Sequence, residues 1–168
     1  MTRVCLVGAD GIELRDELWA SETARDALAS YELDEPYANC VAVDTISIGA
    51  AVSLCNDLNW YLRRYVADTL VLEPSVSGEE WLSRSLATAV RNERVAADET
   101  ATFLKIYGVV EPEVAGENDD PDAPPANAKP ALAEPLFARR VGGETPEYDL
   151  REVLDTVVVR VTADEFGA

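Results

Sequence analysis

Cys40 to Pro74, CVAVDTISIGAAVSLCNDLNWYLRRYVADTLVLEP, carries the pattern that decides the fold. Cys40 to Ile48 is rich in β-branched residues and partly alternates, which predicts a strand. From Gly49 to Val66, the residues Ala51, Leu54, Cys55, Leu58, Tyr61, Leu62 and Tyr65 fall on one face at the helical period. Leu70-Val71-Leu72, stopped by Glu73-Pro74, reads as the next strand, because a proline disfavours helix before it. This is a strand–helix–strand unit, the element from which parallel sheets are built.

Working outward, Arg3 to Gly8 (RVCLVG) is a short apolar run that predicts a buried first strand. Ser21 opens a helix with Ala24, Ala27, Leu28 and Tyr31 inward, ended by Asp34-Glu35-Pro36. Ser77 and Glu80 form a capping box for a helix with Leu82, Leu86, Ala89 and Val90 inward. Asp98 caps a further short helix carrying Ala101, Leu104 and Tyr107, closed by Gly108. Pro135 to Val141 and Asp155 to Thr162 predict two last strands, with a helical turn over Tyr148 to Leu154 between them. The order β-α-β-α-β-α-α and then β-β predicts an α/β fold. Its mainly parallel sheet is flanked by helices and leaves the last two strands free to form an antiparallel edge. The chain of 168 residues reads as one domain. Residues 111–130, with five of the nine prolines, six acids and no aromatic group, form an acidic loop or linker inside it that lacks the apolar groups to pack.

Composition narrows the chemistry. Histidine is absent, which removes Ser-His-Asp and Cys-His pairs, histidine bases and histidine metal ligands. Cys5, Cys40 and Cys55 form no CxxC and have apolar neighbours, so they read as buried, reduced thiols. Val7-Gly8-Ala9-Asp10-Gly11 has Leu14 where a dinucleotide-binding turn needs a third glycine, and no Gly-Lys-Ser/Thr follows; it reads as an ordinary tight turn. The adjacent acids Asp16-Glu17, Glu79-Glu80, Asp119-Asp120 and the nearby Glu152 and Asp155 read as solvated faces or caps in a chain with 32 carboxylates. No cofactor or metal site is expected.

The 32 acids against 14 bases give a net charge of −18, and 12 of the 14 bases are arginine. Acid in place of surface lysine suits a cytoplasm of molar salt, where dense carboxylates keep a surface hydrated. The longest uncharged run, Thr45 to Asn56, is 12 residues, too short for a membrane span, and the N-terminus lacks a signal core. A cytoplasmic protein is expected. The acidity and the lack of any basic patch beyond Arg63-Arg64 and Arg139-Arg140 argue against a nucleic-acid partner.

One surface stands apart. Opposite the apolar stripe of the long helix lie Asn56, Asn59, Trp60 and Arg63, with Asp57 and Arg64 at the margin. Trp60 sits about 160° around the helix from Leu58 at a period of about 3.6 residues, so it cannot join the sheet-facing core. Two readings follow: another segment of the chain covers Trp60, or Asn56, Asn59, Trp60, Arg63 and Arg64 form a surface for a protein partner or a small ligand. Trp19 and Trp81 flank apolar stripes and are expected in the core. The functional expectation is a non-enzymatic module binding through the Asn56–Arg64 face. The alternative is a small carboxylate- and arginine-dependent enzyme with Asp10, Asp44 or Glu73 converging at the C-terminal ends of the first three strands.

The strings NDLNWYLRRY (56–65), EPSVSGEEWLSRSLA (73–87), FLKIYG (103–108), KPALAEPLF (129–137) and PEYDLREVLDTVVVRV (146–161) resemble a family of haloarchaeal proteins of unknown function. The resemblance implies the same saline habitat as the composition and brings no catalytic motif, cofactor or substrate.

Overall fold

A computed structural model describes residues 1–111 and 129–167. The elements run β1 (Thr2–Gly8), α1 (Leu14–Trp19), α2 (Glu22–Leu28), β2 (Cys40–Thr45), α3 (Ile48–Asp57), α4 (Asn59–Tyr65), β3 (Val66–Leu72), β4 (Trp81–Ser83), α5 (Arg84–Arg91), β5 (Phe103–Val110), β6 (Ala131–Arg139), β7 (Asp155–Arg160) and α6 (Ala163–Phe166). The seven strands form one sheet in the order β2-β1-β3-β4-β7-β5-β6.

The sheet corrects the expected mainly parallel architecture. Every pairing is antiparallel except that of β4 with β7. Two short helices, α1 and α2, stand between β1 and β2 where the sequence suggested one. They return the chain to the end of β1 that it left, so Cys40 starts β2 opposite Val7 and β2 runs the other way. β3 then pairs with the other side of β1, also antiparallel. β2 and β3 therefore run in the same direction, with β1 between them.

The long helix is two helices. At Leu58 the backbone (φ −92°, ψ 5°) leaves the α-region, and α4 restarts with Leu62 N–H donating to Leu58 O at 3.0 Å. The expected helix from Ser77 also moves. The Ser77 hydroxyl accepts from the backbone N–H of Glu79 and Glu80, which closes a turn, and Trp81–Ser83 pairs as β4. Ser83 caps α5 by accepting from Leu86 N–H at 3.2 Å. The expected helix over Ala101 to Gly108 is a strand, β5, preceded by a single 3-10 turn at Ala97–Glu99. Tyr148 to Leu154 forms no helical turn. Most of the predicted linker, 112–128, lies outside the described residues.

Alternation along the strands divides the apolar residues into two cores. Val4, Leu6, Val41, Val43 and Val71 face the helices and pack with Leu14, Leu18, Leu54, Leu58, Leu62 and Leu86. Cys5, Cys40, Ala42 and Leu70 point the other way and pack with Tyr107, Val109, Val157 and Val159. Because β2 and β5 are far apart in the strand order, this second core requires the sheet to curl on itself. Its two edges meet where Ala38 N–H donates to Pro130 O at 2.8 Å.

Two polar ties hold the curl. Asp68 on β3 accepts from Lys105 Nζ at 2.8 Å and from the Tyr107 hydroxyl at 2.7 Å, both on β5, and from its neighbour Thr69 N–H at 3.0 Å. Glu80, just before β4, accepts from Arg140 at 2.6 Å and from Arg160 at 2.8 Å. β4 is only three residues long, so these contacts bridge what backbone pairing leaves open. All three cysteines are buried free thiols, and burial pushes Cys55 up to about 11. Of the two tryptophans expected in the core, Trp81 packs partly buried in the second core, whereas Trp19 at the end of α1 is 42% exposed. No helix among the described residues is long and apolar enough to cross a membrane.

Candidate functional site

The polar side of α4 begins at the break after Asp57. Asn59 opens the helix, and Tyr61 and Leu62 turn into the first core, which fixes Trp60, Arg63 and Arg64 outward. Trp60 is 53% exposed. Its indole is nevertheless held in place by its own helix. Tyr61 and Tyr65 meet it edge-on, with ring centroids at 5.0 and 6.1 Å, and the Arg64 guanidinium lies 4.4 Å from its centroid. The Tyr61 hydroxyl in turn hydrogen-bonds the Ser21 hydroxyl, anchoring α4 to the start of α2. Asn59, Trp60, Arg63 and Arg64 line a shallow recess of about 360 Å³.

Asn56 takes a different part. Arg84, the first residue of α5, donates to Asn59 Oδ1 at 2.9 Å, to Asn56 Oδ1 at 3.2 Å and to Cys55 O at 3.3 Å. One guanidinium thus splints the junction of α3 and α4, using Asn56 structurally and fixing the amide of Asn59. Sequence reasoning missed Arg84. It lies 25 residues from Asn59, and no periodicity within either segment connects them.

The other candidates are dispersed or already engaged. Asp44 and Glu73 flank the start of β1, where Asp44 pairs with Arg3 and Glu73 accepts from the Thr2 hydroxyl. Asp10 follows the opposite end of β1, so the antiparallel sheet separates the acids that a parallel one would have gathered. Arg140 and Arg160 share Glu80 and are not part of the Arg63–Arg64 surface. The turn after β1 is held by Asn39, whose Oδ1 accepts from Leu14 N–H at 2.8 Å while its carbonyl accepts from Gly8 N–H at 2.8 Å. A Cβ at Gly8 would come within 2.4 Å of the Asn39 amide, which accounts for the glycine without any phosphate. A second recess of about 570 Å³ beside this turn contains Arg15, which is paired with Glu35 at 3.1 Å. Among the described residues no group of three or more His, Cys, Asp or Glu side chains could hold a metal ion.

No curated protein and no solved structure matches the chain. A family model, described as a family of unknown function (DUF5804), matches residues 2–109, from β1 through most of β5. The chain belongs to the DUF5804 family.

Proposed function

We propose that the protein is a non-enzymatic binding module of a salt-rich cytoplasm, engaging a partner protein or small ligand through Asn59, Trp60, Arg63 and Arg64. The observation that carries this reading is a large aromatic side chain, more than half exposed and packed only against Tyr61, Arg64 and Tyr65 of its own helix among its aromatic and cationic neighbours. Exposed indole surface is unfavourable in water, and tryptophan and arginine are the usual anchors where partners meet. The Arg63 and Arg64 side chains are exposed and make no ion pair among the described residues. The net charge of −18 and the 12 arginines to two lysines support the saline setting.

The test is affinity capture by the whole protein from source lysate in molar potassium chloride, with proteins and metabolites both identified. Wild type should retain a species that Trp60→Ala and Arg63→Ala, shown to be folded, do not. Retention of the same set by all three baits would defeat this reading.

A further inference from the structure

Resting on that reading, we propose that the occupant of the α4 recess is an acidic segment of a partner protein, presenting carboxylates to Arg63 and Arg64 and an apolar side chain to Trp60. Arginine and the indole nitrogen are donors only. The one side-chain acceptor in the lining, Asn59 Oδ1, is already engaged by Arg84 at 2.9 Å, which turns the amide NH2 away from that contact. A ligand whose polar groups are donors would find no partner there. A carboxylate would find two guanidiniums.

Arg3, Arg15, Lys105, Arg140 and Arg160 each pair with a carboxylate of the chain and are taken up in holding the fold. Arg63 and Arg64 are adjacent, exposed and without such a pair among the described residues. Contact with the Trp60 ring, 4.4 Å from the guanidinium carbon to the ring centroid, also restrains the Arg64 side chain, which lowers the entropy lost on gripping a carboxylate. The exposed remainder of the indole offers apolar area beside the charges.

Charge also decides against a nucleic acid. A polynucleotide carries a phosphate at every step and would need a run of cations continuing beyond the recess. Only two cations converge in the recess, which matches one or two carboxylates and not a line of phosphates.

The experiment selects a displayed library of short random-sequence peptides on the whole protein in molar potassium chloride. It is repeated on Trp60→Ala and on the double variant Arg63→Gln/Arg64→Gln, with an oligothymidylate as a separate probe. The proposal expects enrichment of Asp or Glu next to an apolar residue, binding weakened about tenfold or more by either variant, and no retention of the oligonucleotide. Enriched peptides that need Trp60 but show no acidic bias would overturn the acidic segment and leave the binding face standing. Peptides indifferent to both variants would overturn both. Oligonucleotide binding that is lost in the double variant would replace the acidic peptide with a nucleic acid.

Discussion

Asp68 shows what a single, largely buried carboxylate can do when both of its oxygens are engaged. Lys105, Tyr107 and the Thr69 backbone all donate to it, and the Asp68 and Lys105 side chains are 16% and 19% exposed. Removing the carboxylate strands a largely buried ammonium, so Asp68→Ala should destabilise the protein by about 3 kcal/mol in urea denaturation. Asp68→Asn, whose single side-chain oxygen can still accept from Tyr107 in the place of Oδ2, should cost less. Glu80 gives a pH signature. Burial pushes its carboxyl up, but hydrogen bonds from Arg140 and Arg160 outweigh this and hold it below its ordinary value of 4.5. The unfolded chain therefore takes up the proton first as pH falls. The contribution of Glu80 is complete above the ordinary carboxylate value and is lost as pH drops through the lowered one. The stability difference between wild type and Glu80→Gln, followed by denaturation from about pH 6 to pH 3, should be constant at the upper end and shrink at the lower. A difference that does not vary with pH would mean that Glu80 titrates alike in both states.

Among the elements, the break between α3 and α4 is the one that builds the candidate site. Arg84 caps the end of α3 and fixes the start of α4, so Arg84→Ala removes three hydrogen bonds at once. A loss of about 1–2 kcal/mol is expected, with faster hydrogen exchange at Leu58 to Leu62; unchanged exchange there would show that the junction holds without Arg84. The apolar stripe of this region was legible because it continues in register across Leu58. The break was not, since it depends on a residue of another element. β5 shows a different failure. Ala101, Leu104 and Tyr107 recur every three residues and imitate a helical stripe, while Phe103, Leu104, Ile106, Tyr107 and Val109 leave no clean alternation. The strand has no clean alternation because both of its faces are covered: Leu104 and Ile106 are buried on one, and Tyr107 and Val109 join the second core on the other. A bulge between Tyr107 and Val109 disturbs the period further.

For the whole molecule, the strand–helix–strand order of Cys40 to Pro74 holds with its helix broken at Leu58, but the parallel sheet it implied does not form. β2 and β3 do run the same way around α3 and α4, but β1 lies between them and opposes both. Helical periodicity reports that a segment buries one face, and says nothing of which strands become neighbours; the two short helices after β1 decided the direction of β2. The face of Trp60 was legible because outward placement on a helix follows from spacing alone. The charge of −18 is a property of the whole surface. Only five carboxylates (Asp34, Glu35, Asp44, Asp68 and Glu80) enter ion pairs among the described residues, against 32 in the chain. The remainder repel when screening is weak. Melting midpoints should therefore rise from about 0.1 to about 3 M potassium chloride, and a flat curve would remove the saline setting. Most directly at stake is the division of the surface into parts that hold the fold and one part left for a partner. It is tested by the stability of Trp60→Ala in molar salt. Within about 1 kcal/mol of wild type is the predicted result, because the side chain is half exposed and touches its own helix. A loss of about 3–5 kcal/mol, the cost of a large buried aromatic, would mean that the chain itself covers this face, and would contradict the account.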